Sequence, residues 1–179
     1  MDHAGGLLQD GFDRVQQVVL GVLEAADDAD LVRRPPGGGS PGNTVAWLVW
    51  HLTRVQDDHV AKAFEREQVW VTDGWADRLG LPFGVDDIGF GHDPDDVAAV
   101  VVGAADLRAY HEAVHRRTHD CLASMSAADL DRVVDRSWDP PVTLGVRLMS
   151  VLLDDLQHAG QAAYVLGLLG RDLGPTGAG

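Results

Sequence analysis

The feature that most constrains the fold is a long stretch near the end of the chain, residues 144–169, which contains no proline. Read as an α-helix, it is apolar in almost every direction except one, where Asp154 and His158 lie one turn apart. Arg147 and Gln161 fall in the same sector. We therefore predict a long helix whose polar stripe either faces solvent or lines a polar site inside a bundle.

Three further segments carry apolar residues at helical spacing, and no alternating run is long enough to indicate a strand. A long connection, about Gln68 to Pro94, separates the second segment from the third and contains tryptophan and phenylalanine. The pattern predicts an all-α, four-helix bundle with a long crossover connection between helices two and three. The predicted helices cover about residues 7–26, 44–67, 105–125 and 143–169, with a short helix over residues 95–102 and a weakly structured crossing over residues 129–138.

The composition predicts one acidic domain spanning residues 1–179, with its core in about residues 5–170 and a flexible tail over residues 171–179. Acidic residues outnumber basic ones 28 to 14, so we expect no binding to nucleic acid or to anionic membranes. Cys121 is the only cysteine, and we expect it to be a small buried apolar residue. Together with an N-terminus unlike a signal peptide, this predicts a cytoplasmic protein.

Histidine is the residue type most able to carry chemistry, and the chain has eight. We expect His3 and His92 to be solvated, because they fall in a predicted tail and a predicted loop. His51 lies at the edge of the apolar stripe of the second helix, with Asp58 two turns further on in nearly the same direction. A hydrogen-bonded role in the core is the default for His51 and for His59, and metal ligation is the alternative.

A second group of histidines, His111, His115 and His119, repeats at every fourth residue of the third helix. Neighbouring members have the spacing that lets two imidazoles from one helix bind one metal. The helix drifts, however, so that His111 borders the core and His119 points outward. We expect a solvated ridge beside Arg116 and Arg117, with a metal pair at His111 and His115 as the alternative.

Asp154 and His158 form the sharper pair, since a carboxylate and an imidazole one turn apart can share a divalent cation. A third ligand must then come from another helix, and His51 is well placed to supply it. Two histidines and one carboxylate suit Zn²⁺ in an open site, and also Ni²⁺ or Fe²⁺. Asp155, three residues before His158, is a competing carboxylate. A narrow stripe facing solvent remains the alternative to a metal site.

Two stretches of the sequence, TVAWLVWHLTRVQDDHV and WDPPVTLGVRLMSVLLDDLQHAGQAAYVLGLLGR, resemble the DinB-like bundles of actinobacteria. Related proteins include the N-terminal domains of maleylpyruvate isomerases and thiol-dependent S-transferases. The resemblance covers roughly residues 5–170, and its strongest motifs are W-x-x-x-H in the second helix and H-A-G-Q in the fourth. It implies the same four-helix topology, with its long connection between helices two and three.

The resemblance also implies a divalent metal held by His51, Asp154 and His158. Many members have histidine at the position of Asp154, and some have a carboxylate. It implies a low-molecular-weight thiol, mycothiol or bacillithiol, whose pKa the metal lowers for attack on a small-molecule electrophile. Beside these ligands, we expect Asp58, Gln161 and Asp155 to be the residues that orient them.

Three other functions remain open at the level of sequence. The first is metal-assisted hydrolysis, in which water takes the place of the thiol. The second is a non-catalytic bundle that uses the metal structurally, or serves as a dimerisation or sensor module. The third is a bundle without metal, whose polar stripe is only a solvated face. Bundles of this kind often pair through apolar helix faces, so we also expect a homodimer.

Overall fold

The computed structural model describes residues 3–35, 37 and 42–174. Its helices form at the segments whose apolar residues recur with helical period. Four long helices build the molecule, and shorter ones lie in the connections. The helices are α1 (His3–Ala25), α2 (Asp28–Val32), α3 (Val45–Ala63), α4 (Val69–Thr72), α5 (Trp75–Leu79), α6 (Pro94–Ala99), α7 (Ala104–Ala123) and α8 (Leu144–Leu168).

Side-chain caps fix where several of these helices begin. The hydroxyl of Thr44 accepts a hydrogen bond from the amide of Trp47 (3.2 Å), as its position before α3 predicts. Asp93 accepts bonds from the first amides of α6, and Pro94 occupies the first turn. Thr143 caps α8 in the same way as Thr44 caps α3.

The long helices pack so that each has two neighbours. α3 packs against α7 and α8, and α1 packs against the same two helices, which places α1 and α3 on opposite corners. Buried apolar side chains from all four helices fill the space between them. The predicted all-α, four-helix fold with a long connection after the second long helix is therefore confirmed.

The connections contain more regular structure than the sequence pattern predicts. Helices α4 and α5 lie within residues 68–94, and a 3₁₀ helix (Ala127–Asp131) begins the predicted weakly structured crossing. Strands β1 (Val133–Asp135) and β2 (Val142–Thr143) then pair in an antiparallel ladder. The expectation of no strand is thus wrong, because strands of three and two residues are too short to show a period of two.

Polar contacts tie down part of the predicted tail. Arg171 pairs with Asp30 (2.6 Å) and with Asp27, which lie at the start of α2, while residues 175–179 lie outside the described part of the chain.

No helix among the described residues is long and apolar enough to cross a membrane. Along α8, Met149, Leu153 and Leu156 are about half exposed. Pairing of two chains stays a prediction.

A buried guanidinium fastens the long connection to α3. Arg54 has no exposed surface, and it donates hydrogen bonds to the carbonyl oxygens of Val85 and Asp87 (both 3.2 Å) and to the Gln68 side chain (2.8 Å). It also lies 4.7 Å from the centre of the Trp70 ring, close enough for a cation–π interaction. These bonds fix the backbone of residues 85–87 against the helix.

Asp57, one turn after Arg54, fastens the start of α4. Its carboxylate accepts hydrogen bonds from the amides of Val69 (2.9 Å) and Trp70 (2.7 Å) and from the hydroxyl of Tyr110 (3.1 Å). Arg54 lies 3.8 Å away. Burial raises the pKa of Asp57, and the two amides oppose that shift. The first amide groups of α4 thus bond to a buried side chain instead of to solvent.

His111 is a polar residue within the core of the bundle. It has no exposed surface, and its Nδ1 lies 3.0 Å from the hydroxyl of Thr53, which in turn donates to the carbonyl of Val49. Burial, with a smaller effect from His115, lowers the pKa of His111 to about 3. The native protein therefore keeps this imidazole neutral.

We predict that Arg54→Met lowers the free energy of unfolding by about 3–5 kcal/mol, since it leaves the buried Asp57 carboxylate without its cation. Urea unfolding followed by circular dichroism would measure the change. Arg14→Met is the matched control, because Arg14 pairs with Asp10 at an exposed position on α1. Equal effects of the two substitutions would contradict the structural role of Arg54.

We predict that His111→Gln weakens the pH dependence of stability. The unfolded chain protonates this histidine below a pKa of about 6.5, whereas the native state resists until about pH 3. Unfolding therefore takes up a proton in that window, and the free energy of unfolding falls as the pH is lowered, by at most about 1.4 kcal/mol per pH unit. Urea unfolding at about pH 7 and about pH 5 would test this. An identical pH dependence in the variant would contradict it.

Candidate metal centre

Three side chains from two helices converge at the edge of the bundle where α3 packs on α8. His51 of α3 and Asp154 and His158 of α8 each offer one ligand atom, and these atoms lie within 4.8 Å of one another. The two imidazole rings are 4.8 Å apart between centres. His158 Nε2 lies 3.6 Å from Asp154 Oδ1, which is too long for a hydrogen bond.

Asp154 has an unsatisfied oxygen at this point. Its Oδ2 is buried and has no hydrogen-bond partner among the described residues. A buried carboxylate oxygen is costly unless it accepts hydrogen bonds or binds a cation. The donor set of two imidazoles and one unsatisfied carboxylate oxygen therefore fits a divalent transition metal.

Asp155, the competing carboxylate, turns into the core instead. It has no exposed surface, and neither of its oxygens has a hydrogen-bond partner within the described chain. Burial, reinforced by the charge of Asp154, raises the pKa of Asp155 well above its ordinary value. The rotation of about 100° between successive helical residues thus separates the two carboxylates, and Asp154 is the one beside the histidines.

The outer nitrogens of both histidines are held by oxygen atoms. His51 Nδ1 contacts the carbonyl of Ile88, and His158 Nδ1 lies 2.9 Å from the side-chain oxygen of Gln161. Each oxygen can only accept, so Nδ1 carries the proton and Nε2 keeps its lone pair. This arrangement, typical of metal-ligating histidines, fixes the tautomer and the ring orientation. Gln161 therefore contacts the residue that it was predicted to orient.

The protonation state of His51 also suits a ligand. Burial lowers its pKa, and the neighbouring His158 acts in the same direction, while the bond to the Ile88 carbonyl opposes them. His51 is therefore neutral near neutral pH, and a neutral imidazole is the form that binds metal.

Aromatic residues form a wall behind His51. The ring of Trp47 stacks on His51 at 4.6 Å, with 14° between the ring planes. The indole nitrogen of Trp47 donates to His92 Nδ1 (3.1 Å), and His92 Nε2 lies 3.1 Å from Asp87. The His92 side chain is only 6% exposed, so the prediction of a solvated His92 is wrong. The sequence offered a weak signal, since His92 lies within the connection that contains tryptophan and phenylalanine.

Gly89 brings the connection close to His51. Its φ of +89° lies in the region that favours glycine, and a Cβ built there would lie 2.8 Å from His51 Nδ1 and 3.0 Å from the Trp50 ring. Only a residue without a side chain lets the backbone approach this closely. The roles of Ile88 and Gly89 were not predicted, because a loop has no periodicity that reveals its contacts.

A pocket of about 140 Å³ opens beside the ligand set. Its polar edge is formed by His51, Asp154 and His59, and its walls include Ile88 and Phe90. Phe90, which lies in the long connection and lines this pocket, is almost fully exposed. A small organic molecule therefore has space next to the converging ligand atoms.

Asp58, predicted to orient a ligand, has other partners. Its carboxylate contacts Lys62 (2.9 Å), Gln68 (2.8 Å) and His59 Nδ1 (3.1 Å). It therefore orients His59, which lines the pocket, instead of His51. Arg147, two turns before Asp154 in the same sector of α8, pairs with Asp135 (2.8 Å) on β1.

The remaining predicted positions are the histidines of α7, Cys121 and His3. His111 and His115 are buried, so the expected solvated ridge is wrong for both. The alternative metal pair of His111 and His115 is not formed either, because their ring centres lie 6.4 Å apart and His111 bonds Thr53. Cys121 is fully buried, as predicted. The side chain of His3 lies outside the described residues.

Comparison with known proteins places the chain in a family. Residues 11–162 match the model of the DinB superfamily. The crystal structure of a conserved protein from Enterococcus faecalis is similar, with a TM-score of 0.86 and 28% identity over 95% of this chain and 99% of that one. No curated protein matches the chain. Because the family model covers most of the sequence, including His51, Asp154 and His158, the chain belongs to the DinB superfamily.

Proposed function

We propose that this protein binds a divalent metal through His51, Asp154 and His158 and uses it to activate a low-molecular-weight thiol of the mycothiol type. The observation that carries the proposal is the convergence of one ligand atom each from His51, Asp154 and His158, together with the buried Oδ2 of Asp154, which has no hydrogen-bond partner among the described residues. Zinc is the first choice for two imidazoles and one carboxylate, and nickel or iron are the alternatives.

Three protein ligands with a pocket beside them favour a catalytic role over a purely structural one, because structural zinc sites are usually closed by four ligands. A cation bound there would lower the pKa of a thiol or a water molecule that reaches its open positions. The apolar walls beside the site, with Val55, Ile88 and Phe90, suit the carbon skeleton of a small electrophile.

The reaction that we propose is S-transfer, or an isomerisation assisted by the thiol. The thiol gives up its proton, its sulfur forms a bond to an electrophilic carbon, and the leaving group departs with the electron pair of the broken bond. In an isomerisation, the sulfur itself leaves after rotation about the weakened carbon–carbon bond. His59 lines the pocket and is oriented by the buried Asp58, an arrangement that suits the proton acceptor.

Metal content is the first measurement, made by elemental analysis on untagged protein purified without added metal. We predict that the wild type carries about one equivalent of zinc or nickel more than His51→Ala and Asp154→Asn do. Asp155→Asn is the matched control, because Asp155 is the adjacent carboxylate and lies outside the cluster. Retention of this metal by Asp154→Asn, or its loss only in Asp155→Asn, would overturn the ligand assignment.

Turnover then separates the possible reactions. The metal-loaded wild type and Asp154→Asn are supplied with a thiol and a panel of alkyl halides, epoxides and activated alkenes, and loss of free thiol and of electrophile is followed. Consumption that requires both the thiol and Asp154 supports the proposal. Product formed without thiol favours hydrolysis, and a bound metal that changes only stability favours a structural role.

We predict that Gly89→Ala weakens metal binding, although residue 89 is not a ligand. The added methyl group would lie 2.8 Å from His51 Nδ1, so the imidazole must leave the position in which its Nε2 converges with Asp154 and His158. We expect a loss of affinity of about 10- to 100-fold, as for other residues that hold a metal ligand in place. Calorimetric titration with Zn²⁺ would measure it. Gly84→Ala, where the added group meets nothing, is the control, and equal affinities in both variants would contradict the prediction.

A further inference from the structure

A second cluster of metal-ligating side chains lies where α1 packs on α7, at the opposite edge of the bundle from the α3–α8 site. Asp13 of α1 and His115 and His119 of α7 each offer a ligand atom, and these atoms lie within 4.8 Å of one another. We propose that these three residues form a second divalent-metal site, which joins α1 to α7. The proposal is independent of the function proposed above, since the two sites share no residue.

In this cluster, one nitrogen of each histidine points to the same carboxylate oxygen. His115 Nε2 lies 3.0 Å and His119 Nε2 lies 2.9 Å from the same oxygen, Asp13 Oδ1. Despite this short distance, the buried Nε2 of His119 has no hydrogen-bond partner among the described residues. Two ligand atoms that each lie about 2.0–2.2 Å from one metal ion, with roughly a right angle between the two bonds, are about 3 Å apart. The distances from the two histidine nitrogens to Asp13 Oδ1 match this value.

The sequence spacing and the burial also suit a metal site. His115 and His119 are one helical turn apart, so their rings lie on the same side of α7, with 4.4 Å between ring centres. The side chain of His115 is 9% exposed, whereas those of His119 and Asp13 are 32% and 45% exposed. A cation can therefore enter from solvent and keep water at its open positions.

The donor set indicates which cations the site would bind. Two imidazoles and one carboxylate favour Zn²⁺, Ni²⁺ or Cu²⁺ over Mg²⁺ and Ca²⁺, which prefer oxygen ligands throughout. The formal net charge of -14 also favours cations near the surface. Because its ligands come from two helices, a bound cation stabilises the folded bundle relative to the unfolded chain.

The test uses full-length protein in which the α3–α8 site is removed by His51→Ala and His158→Ala. Calorimetric titration with Zn²⁺, after metal is stripped with a chelator, should still show about one equivalent. Adding His119→Gln should weaken that binding by more than about 100-fold, because even residues that only orient ligands account for about 10- to 100-fold. Asp10→Asn, which changes an exposed carboxylate on α1, is the control. Added to the background variant with His51→Ala and His158→Ala, it should leave Zn²⁺ binding unchanged.

A second measurement needs no substitution. In the wild type, Zn²⁺ should shift the ring-nitrogen resonances of His115 and His119 in nitrogen-15 spectra, and should raise the midpoint of thermal unfolding. The proposal is overturned if the background variant binds no Zn²⁺, if His119→Gln binds as tightly as the background, or if the two rings do not respond. If the α3–α8 site alone fails, the wild type and the background bind the same single equivalent.

Discussion

The buried guanidinium of Arg54 is the interaction on which the α3–α8 site depends. It lies one turn after His51 on the same helix, and it holds the backbone of residues 85–87 through two carbonyl oxygens. The next two residues, Ile88 and Gly89, then contact His51 directly. Arg54 and Asp57 of α3 can be buried only because the long connection returns to satisfy them. The connection and these two buried charged residues therefore require each other.

The sequence predicts those parts of the protein that local periodicity determines. The four long helices, and the neighbouring positions of Asp154 and His158 on α8, follow from a helical period of 3.6. His51 is predicted as the third ligand because it lies at the edge of the apolar stripe of another helix, and because the resemblance to DinB-like bundles implies the same ligand set. The burial of His92 does not follow from periodicity, because it results from the contacts of a loop residue with the distant Trp47 and with Asp87 in the same connection.

Polar groups within the core distinguish this bundle from one built only for stability. His111 has a buried nitrogen, and Asp155 two buried oxygens, without hydrogen-bond partners among the described residues. Each such group opposes folding unless it stays neutral, and the direction of both pKa shifts favours the neutral form. His111 lies one turn from His115, and Asp155 follows Asp154. These two unsatisfied groups thus occur next to the two candidate metal clusters, where function can outweigh their cost.

The two clusters show why a ligand set alone does not define a function. Both combine two histidines with one aspartate, and both place two ligands four residues apart on one helix. They differ in what surrounds them: the long connection supplies the α3–α8 cluster with a carbonyl that holds His51 and with the wall of a pocket. The α1–α7 cluster is formed by the faces of two packed helices. The same donors therefore suit catalysis beside the connection and a link between helices at the opposite edge.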